Sequence, residues 1–258
     1  MPKRLSEEET IRYRRQLIVP EIGEQGQQRL KRATVLIAGL GGLGSISAYY
    51  LAAAGVGHLK IVDMDRVVVH NLNRQILHLS SDIDSLKTES ARLKLEALNP
   101  WCHIEAMALH IDADSVDAIV KDCYLIMDGT DNIYTRRVLN RASLSNRIPY
   151  IFGAVGGFDG MVSTFIPGRT ACLECLFPTG THEPTGEIGV IGPTAGVVAS
   201  LQSLEAVKIL TGQKPALAGA LMHFHGLTMR LKKTALDPNP DCHACSAESP
   251  DGRFSGSN

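Results

Sequence analysis

The chain has 258 residues, enough for one large α/β domain, and its 44% hydrophobic and 21% charged residues are ordinary for a globular protein. Lys and Arg number 26 against 27 Asp and Glu, so the formal net charge of −1 offers no global field for nucleic acid or an acidic membrane. No apolar run reaches the ~20 residues that span a bilayer, and the opening MPKRLSEEET lacks a leader's apolar core; a cytoplasmic location is expected.

In chain order, residues 6–30 read as a charged helical arm with Ser6 as N-cap and Glu9 three positions on. A strand, ATVLIAG, runs into a glycine turn. The next helix, about Leu43 to Ala54, carries Leu43, Ile46, Tyr50, Leu51 and Ala54 on one face and stops at Gly55 and Gly57. The second strand is HLKIVDMD. After a long loop, KTESARLKLEALNP reads as a helix closed by Asn99-Pro100. Strand HIEAMA, a helix near Asp114–Lys121, strand CYLIMDGTD, a helix over Ile133–Asn146 and strand IPYIFGA follow. Such alternation predicts a Rossmann-like α/β fold, a mostly parallel doubly wound sheet covered on both faces. From about Gly160 the pattern changes. GMVSTFIPG is a strand with no helix after it, residues 178–193 form a Gly/Pro/Thr-rich loop, GVVASLQSLEAVKILTG is a helix, and two antiparallel strands flank Gly226. A single domain over residues 1–246 is expected, the antiparallel strands extending the same sheet, with a disordered polar tail over 247–258.

The turn reads Gly39-x-Gly41-x-x-Gly44 between a strand and a helix. Gly39 permits the tight bend, Gly41 lets backbone approach a phosphate, and Gly44 lets helix and strand pack closely. The helix N-terminus offers free N–H groups and a positive dipole end. Asp63 closes the second strand about 20 residues on, where a carboxylate reaches ribose hydroxyls. This much suits NAD as well as ATP. NAD's two phosphates need no further cation, yet the chain supplies Arg74 in HNLNRQ and Lys87 in SLKTESA, and Asp131-Asn132 ends the buried strand CYLIMDGTD. Strand ends converge on the ligand crevice of a doubly wound sheet, where Arg and Lys would neutralise a triphosphate and Asp131 would hold Mg²⁺.

Cys172-x-x-Cys175 and Cys242-x-x-Cys245 form two hooks, each able to supply two corners of a thiolate tetrahedron. A closed Cys₄ zinc site tying the chain's end onto the sheet is expected, structural because it leaves no open position. Redox use of the pairs is the alternative. Cys102 and Cys123 read as small buried hydrophobes.

RYRRQ, GLGGLG, DMDRVVVHNLNRQ, KTESA, DGTDN, CLEC and CHAC occur in an order that resembles the MoeB/ThiF/HesA family, bacterial enzymes similar to the adenylation domain of ubiquitin-activating enzymes. The resemblance runs from about Leu5 to Cys245. It implies an adenylyltransferase that binds ATP, Mg²⁺ and Zn²⁺ and takes a ubiquitin-like sulfur carrier protein ending in Gly-Gly, whose terminal carboxylate attacks the α-phosphate to give an acyl-adenylate and pyrophosphate. By motif it assigns Gly42 to the phosphate turn, Asp63 to the ribose, Asn71, Arg74 and Lys87 to phosphate, and Asp131 to the metal. Asp65, Gln75 and Asn132 join the nucleotide set. Arg15 of RYRRQ would reach a partner subunit's site, because family members are homodimers. A carboxylate is already ionised at pH 7 and needs no general base, so His70 beside Asn71 is read as a loop residue.

Several relatives carry a cysteine in the loop before a GVIGP-type motif. Here the loop reads FPTGTHEPTGEIGVIGP, with Thr185 near that position. No rhodanese-like or ubiquitin-fold extension is seen. The expectation is therefore adenylation alone, with sulfur from a separate persulfide donor, for thiamine, molybdopterin or a related pathway. The same loop would move as the carrier tail enters, and FDGMVSTF would line the tail's channel. Adenylation of a short peptide's C-terminus, an NAD-dependent oxidoreductase and a noncatalytic scaffold stand as competing readings.

Overall fold

The computed structural model describes residues 4–180, 186 and 188–246. Thr185 and the tail 247–258 lie outside the described residues.

Three short helices, α1 (Glu7–Arg12), α2 (Arg14–Leu17) and α3 (Gly23–Arg32), replace the single arm expected over 6–30. The break falls at Ile18–Ile22, where Pro20 has no N–H to continue a helix. The Ser6–Glu9 capping box is formed in both directions. The arm is held by polar contacts: buried Tyr13 accepts a 2.8 Å bond from Asn99, and Gln16 and Gln27 both donate to the Ala54 carbonyl.

The core of the fold then alternates: β1 (Thr34–Ala38), α4 (Gly42–Ala54), β2 (His58–Val62), α5 (Lys87–Leu98), β3 (His103–Met107), α6 (Val116–Val120), β4 (Leu125–Asp128), α7 (Ile133–Asn146) and β5 (Tyr150–Gly156). These strands are parallel in the order β3-β2-β1-β4-β5. The chain reverses direction across the sheet at β1, which opens a crevice at the strand C-termini beside β4. Period-two alternation divides the core. Val35 and Ile37 of β1 face a cluster shared with α3, α4 and α5, while Leu36 and Ala38 face one shared with α6 and α7.

The remaining elements are β6 (Asp159–Phe165), α8 (Leu173–Leu176), α9 (Gly192–Thr211), β7 (Ala220–His225) and β8 (Arg230–Ala235). β6, β7 and β8 continue the eight-stranded sheet antiparallel, as the loss of helices after Gly160 predicts. A two-residue turn at Gly157-Phe158 makes the reversal, with Gly157 at φ +56°, a conformation cheap only for glycine. α9 lies against α4 and the sheet; Ala195, Val198, Ala199 and Ala206 enter the first cluster.

Three local readings change. α9 begins at Gly192 rather than Gly196, because Pro193 is tolerated in a first turn. β4 ends at Asp128, so Asp131 lies in the following loop and not on a strand. Tyr50 is 54% exposed instead of facing the core, since the sheet, α5 and α9 bury the other sides of α4. Among the described residues no helix is long and apolar enough to cross a membrane.

Candidate nucleotide site and metal centre

Three backbone segments meet at the head of β1. Gly39 adopts φ +87°, and a side chain there would come within 2.7 Å of the Gly129 carbonyl. A Cβ on Gly44 would fall 1.8 Å from the Gly39 carbonyl oxygen. The turn therefore closes on itself and against the loop after β4 with no space for a methyl. Gly41 is the N-cap of α4 and Gly42 its first residue, so the helix's unpaired N–H groups open into the crevice.

The end of β2 supplies the carboxylate. Asp63 accepts from the Leu40 N–H at 2.7 Å and from the Asp65 N–H at 2.8 Å, which ties it to the turn. Lys87, the first residue of α5 and only 4% exposed, places its Nζ 2.8 Å from Asp65 and 3.9 Å from Asp63. Burial raises the Asp63 carboxyl above its ordinary range, against the opposing pull of Lys87 and the two N–H groups. A buried ammonium between two carboxylates is a cation kept in place before any phosphate arrives.

The segment after β2 returns over the turn. Arg74 donates to the His70 carbonyl and Asn73 Oδ1 at 3.0 Å each and to Asn71 Oδ1 at 3.4 Å. A Cβ on Gly42 would meet the Arg74 side chain at 3.7 Å, so the arginine's stem lies against the start of α4. Gln75 is buried near Gly41, and its Oε1 has no hydrogen-bond partner among the described residues. His70 is exposed and contributes its carbonyl to Arg74.

Asp131 and Asn132 belong to the loop that Gly129 presses against Gly39 and Gly44. Both are exposed. Asn132 caps α7, its Oδ1 accepting from Thr135 at 2.8 Å, while among the described residues Asp131 receives only a long 3.5 Å bond from the Asn132 amide. The Asp131 carboxylate thus keeps lone pairs for a cation. Arg15 does not join this group: it is exposed on α2 and makes no hydrogen bond or ion pair among the described residues.

Sequence reasoning missed the scaffold beneath Asp131. Asp128, 1% exposed, accepts from Thr130 N–H and Oγ1 at 2.9 and 2.7 Å and from Arg136 Nε at 3.0 Å. Arg136 also donates to the Thr130 and Gly153 carbonyls and stacks over Phe152. Gln202 of α9 donates to the Asp128 carbonyl at 2.8 Å. A carboxylate ending the apolar run LIM was the available signal.

The second centre lies behind α7. Cys172 and Cys175 at α8 approach Cys242 and Cys245, with Sγ–Sγ distances of 3.7 Å for Cys172–Cys242 and 3.5 Å for Cys175–Cys245, and all four sulfurs within 4.8 Å of one another. A tetrahedron with Zn–S bonds of about 2.3 Å has edges of about 3.8 Å, so the donor set fits a metal ion. The Asn239 N–H also points at Cys175 Sγ at 3.4 Å, an arrangement that suits a thiolate. Cys102 and Cys123 are buried, and burial pushes their thiols up to about 12 and about 11.

Fold and site together define a doubly wound α/β protein whose glycine turn is flanked by the buried Lys87 and by Arg74. The chain belongs to the ThiF family, whose model matches residues 13–244, and it is an adenylyltransferase. It is 39% identical over 254 residues to the sulfur carrier protein adenylyltransferase of Thermus thermophilus, covering 95% of this chain and 94% of that one. It is 38% identical over 250 residues to the adenylyltransferase and sulfurtransferase MOCS3 of Drosophila sechellia, covering 95% of this chain and 55% of that longer protein. Crystal structures of E. coli MccB and of PaaA superpose with TM-scores of 0.84 and 0.79 at 21% and 24% identity, covering 93% and 92% of this chain and 74% and 76% of theirs, and share the fold.

Proposed function

We propose that this chain activates the C-terminal Gly-Gly carboxylate of a ubiquitin-like sulfur carrier protein, forming a carrier acyl-adenylate and pyrophosphate from ATP as the step before thiocarboxylate formation. The observation that carries this reading is the placing of two cationic side chains around one glycine turn, Lys87 beside Asp63 and Arg74 against Gly42 at the start of α4. Near full-length similarity to a sulfur carrier protein adenylyltransferase supports the choice of substrate.

Two anions must come within bonding distance, so their repulsion has to be removed first. In this reading the glycine turn of Gly39, Gly41, Gly42 and Gly44 receives phosphate, and Asp63 and Asp65 face the ribose side. Asn71, Arg74, Gln75 and Lys87 bind the phosphates, with Asn132 fixing the loop beside them. Asp131 would ligate Mg²⁺, which supplies charge neutralisation on the leaving pyrophosphate. The incoming carboxylate is its own nucleophile, already ionised at pH 7. The Cys172, Cys175, Cys242 and Cys245 set would hold structural Zn²⁺.

The protein acts, on this reading, as a cytoplasmic homodimer of single adenylation domains spanning 1–246. An open apolar groove of about 470 Å³ between α4 and α9, lined by Ile46, Tyr50, Ile76, Val197 and Leu201, supports a second copy, as does Arg15, which is exposed on the arm. With no cysteine in the loop over 177–193, sulfur would come from a separate persulfide donor to a thiamine, molybdopterin or related carrier.

The test is carrier-dependent exchange of labelled pyrophosphate into ATP, run with carriers ending in Gly-Gly and with short peptides. Exchange with a carrier is expected, and Asp131→Ala should abolish it while fold and metal content persist. Exchange with peptides alone, or full exchange by Asp131→Ala, would overturn the reading.

A further inference from the structure

A histidine lies behind the glycine turn, and none of the contacts above uses it. His78 is 3% exposed. Its Nε2 is 3.4 Å from the Leu40 carbonyl oxygen and its Nδ1 2.8 Å from Ser90 Oγ. Leu40 stands in the turn between Gly39 and Gly41. Its N–H donates to Asp63 at 2.7 Å, and its carbonyl also accepts from Ser45 Oγ at 2.8 Å. One peptide of the turn is therefore gripped by the end of β2, by α4 and by His78.

One proton assignment serves both ring contacts. A carbonyl has no proton to give, so Nε2 carries one. Burial pushes His78 down to about 4, which leaves the ring neutral at working pH and its Nδ1 bare. Nδ1 must then accept from the Ser90 hydroxyl. The Ser90 hydroxyl has two acceptors within reach, His78 Nδ1 at 2.8 Å and Asp82 Oδ2 at 3.0 Å, and in this arrangement its single proton serves Nδ1. Asp82 is satisfied without it, by Lys94 at 2.5 Å and the Leu79 N–H at 2.6 Å. Lys94 in turn donates to Ser90 Oγ at 2.8 Å. In this assignment the bonds run from Lys94 through Ser90 and His78 to Leu40.

We propose that His78 is a positioning residue of the nucleotide site: held as the Nε2–H tautomer by Ser90, it fixes the Leu40 peptide so that the glycine turn and Asp63 keep the single arrangement that receives ATP. No proton moves in this role. The proposal rests on the adenylation reading of the site. Because the turn meets the nucleotide in ground and transition states alike, loosening it weakens uniform binding, which appears in KM rather than kcat.

Two measurements on the full chain test it. Nitrogen-15 spectra of histidine-labelled wild type should give His78 a pyrrole-like Nε2 and a pyridine-like Nδ1 resonance; a neutral ring protonated at Nδ1 would overturn the proposal, whatever the variants do. In pyrophosphate exchange, His78→Gln keeps an N–H near the Nε2 position and should hold the KM for ATP within about threefold. His78→Asn moves that N–H to the Nδ1 position and should raise KM about tenfold with kcat little changed. Equal KM for His78→Asn and wild type, or a fall in kcat alone, would overturn the role. If the wild type performs no exchange with any carrier, the adenylation reading itself fails, a result separate from either of these.

Discussion

Removing Arg136 puts the scaffold under the candidate metal carboxylate to a quantitative test. Arg136→Met keeps an aliphatic stem but deletes the guanidinium that lies over Phe152, with its ion pair to Asp128 at 3.0 Å and its bonds to the Thr130 and Gly153 carbonyls at 2.7 and 3.0 Å. Asp128 is 1% exposed and keeps the Thr130 N–H and hydroxyl as donors on one oxygen, with the buried Tyr150 hydroxyl beside it. Stranding one member of a buried pair costs about 3–5 kcal/mol, and a loss of that size is expected in urea unfolding. The double variant Asp128→Asn/Arg136→Met distinguishes the cause. Its amide oxygen still accepts from Thr130, no charge is left unpaired, and it should recover about half or more of the lost stability. A single-variant loss below about 1 kcal/mol, or a double variant no better than Arg136→Met, would refute the view that a buried, paired charge holds this loop.

Further outcomes follow from the metal centre and from His78. One Zn²⁺ per chain is expected by elemental analysis, and Cys242→Ser or a strong chelator should lower the melting temperature, because a structural metal contributes folding energy; in native zinc-loaded protein a thiol reagent should modify neither Cys102 nor Cys123, whose thiols burial holds near 12 and 11. The His78 pKa falls on folding from 6.5 to about 4, so the unfolded chain binds the extra proton between those values and stability drops as pH falls from 6.5 towards 4. The loss should total about 3 kcal/mol, and His78→Gln should flatten that part of a stability-against-pH profile; an unchanged slope would remove His78 as its source.

Much of this architecture could be read from residues because the signals are local. Each parallel strand is a short apolar run closed by turn chemistry, and the spacing Gly39, Gly41, Gly44 then Asp63 constrains strand, turn and helix together. The cysteine hooks forecast their own meeting, since each two-residue gap supplies two corners of one tetrahedron. What stayed hidden depends on contacts distant in sequence. Tyr50 fits the apolar period of α4, but only the position of α9 decides which side of an almost wholly apolar helix remains open. Asp131 looked like the end of a strand because LIMDGTD contains two aspartates, and burial alone separates the structural Asp128 from the exposed Asp131. His78 and Ser90 lie in an unremarkable loop and helix, and they matter through Leu40, far back along the chain.

The crevice is organised by backbone before side chains add charge. A Cβ on Gly129 would fall 2.8 Å from the Gly39 carbonyl oxygen and 2.9 Å from both the nitrogen and Cα of Gly44. All three are backbone atoms of the turn, so no side chain can yield to make room. Gly129→Ala must therefore push the Asp131 loop away from the turn, at a cost of about 1–3 kcal/mol for overpacking. The displacement should matter more to activity than to folding, because a misplacement of about 1 Å can cost on the order of 100-fold. The variant should fold with its four cysteines still binding metal, yet lose pyrophosphate exchange by at least about tenfold, and added Mg²⁺ should not restore it if the loop has moved away from the phosphates. Exchange within about threefold of wild type would mean that turn and loop act independently, and the case for Asp131 as part of one site with Lys87 and Arg74 would then have lost its structural basis.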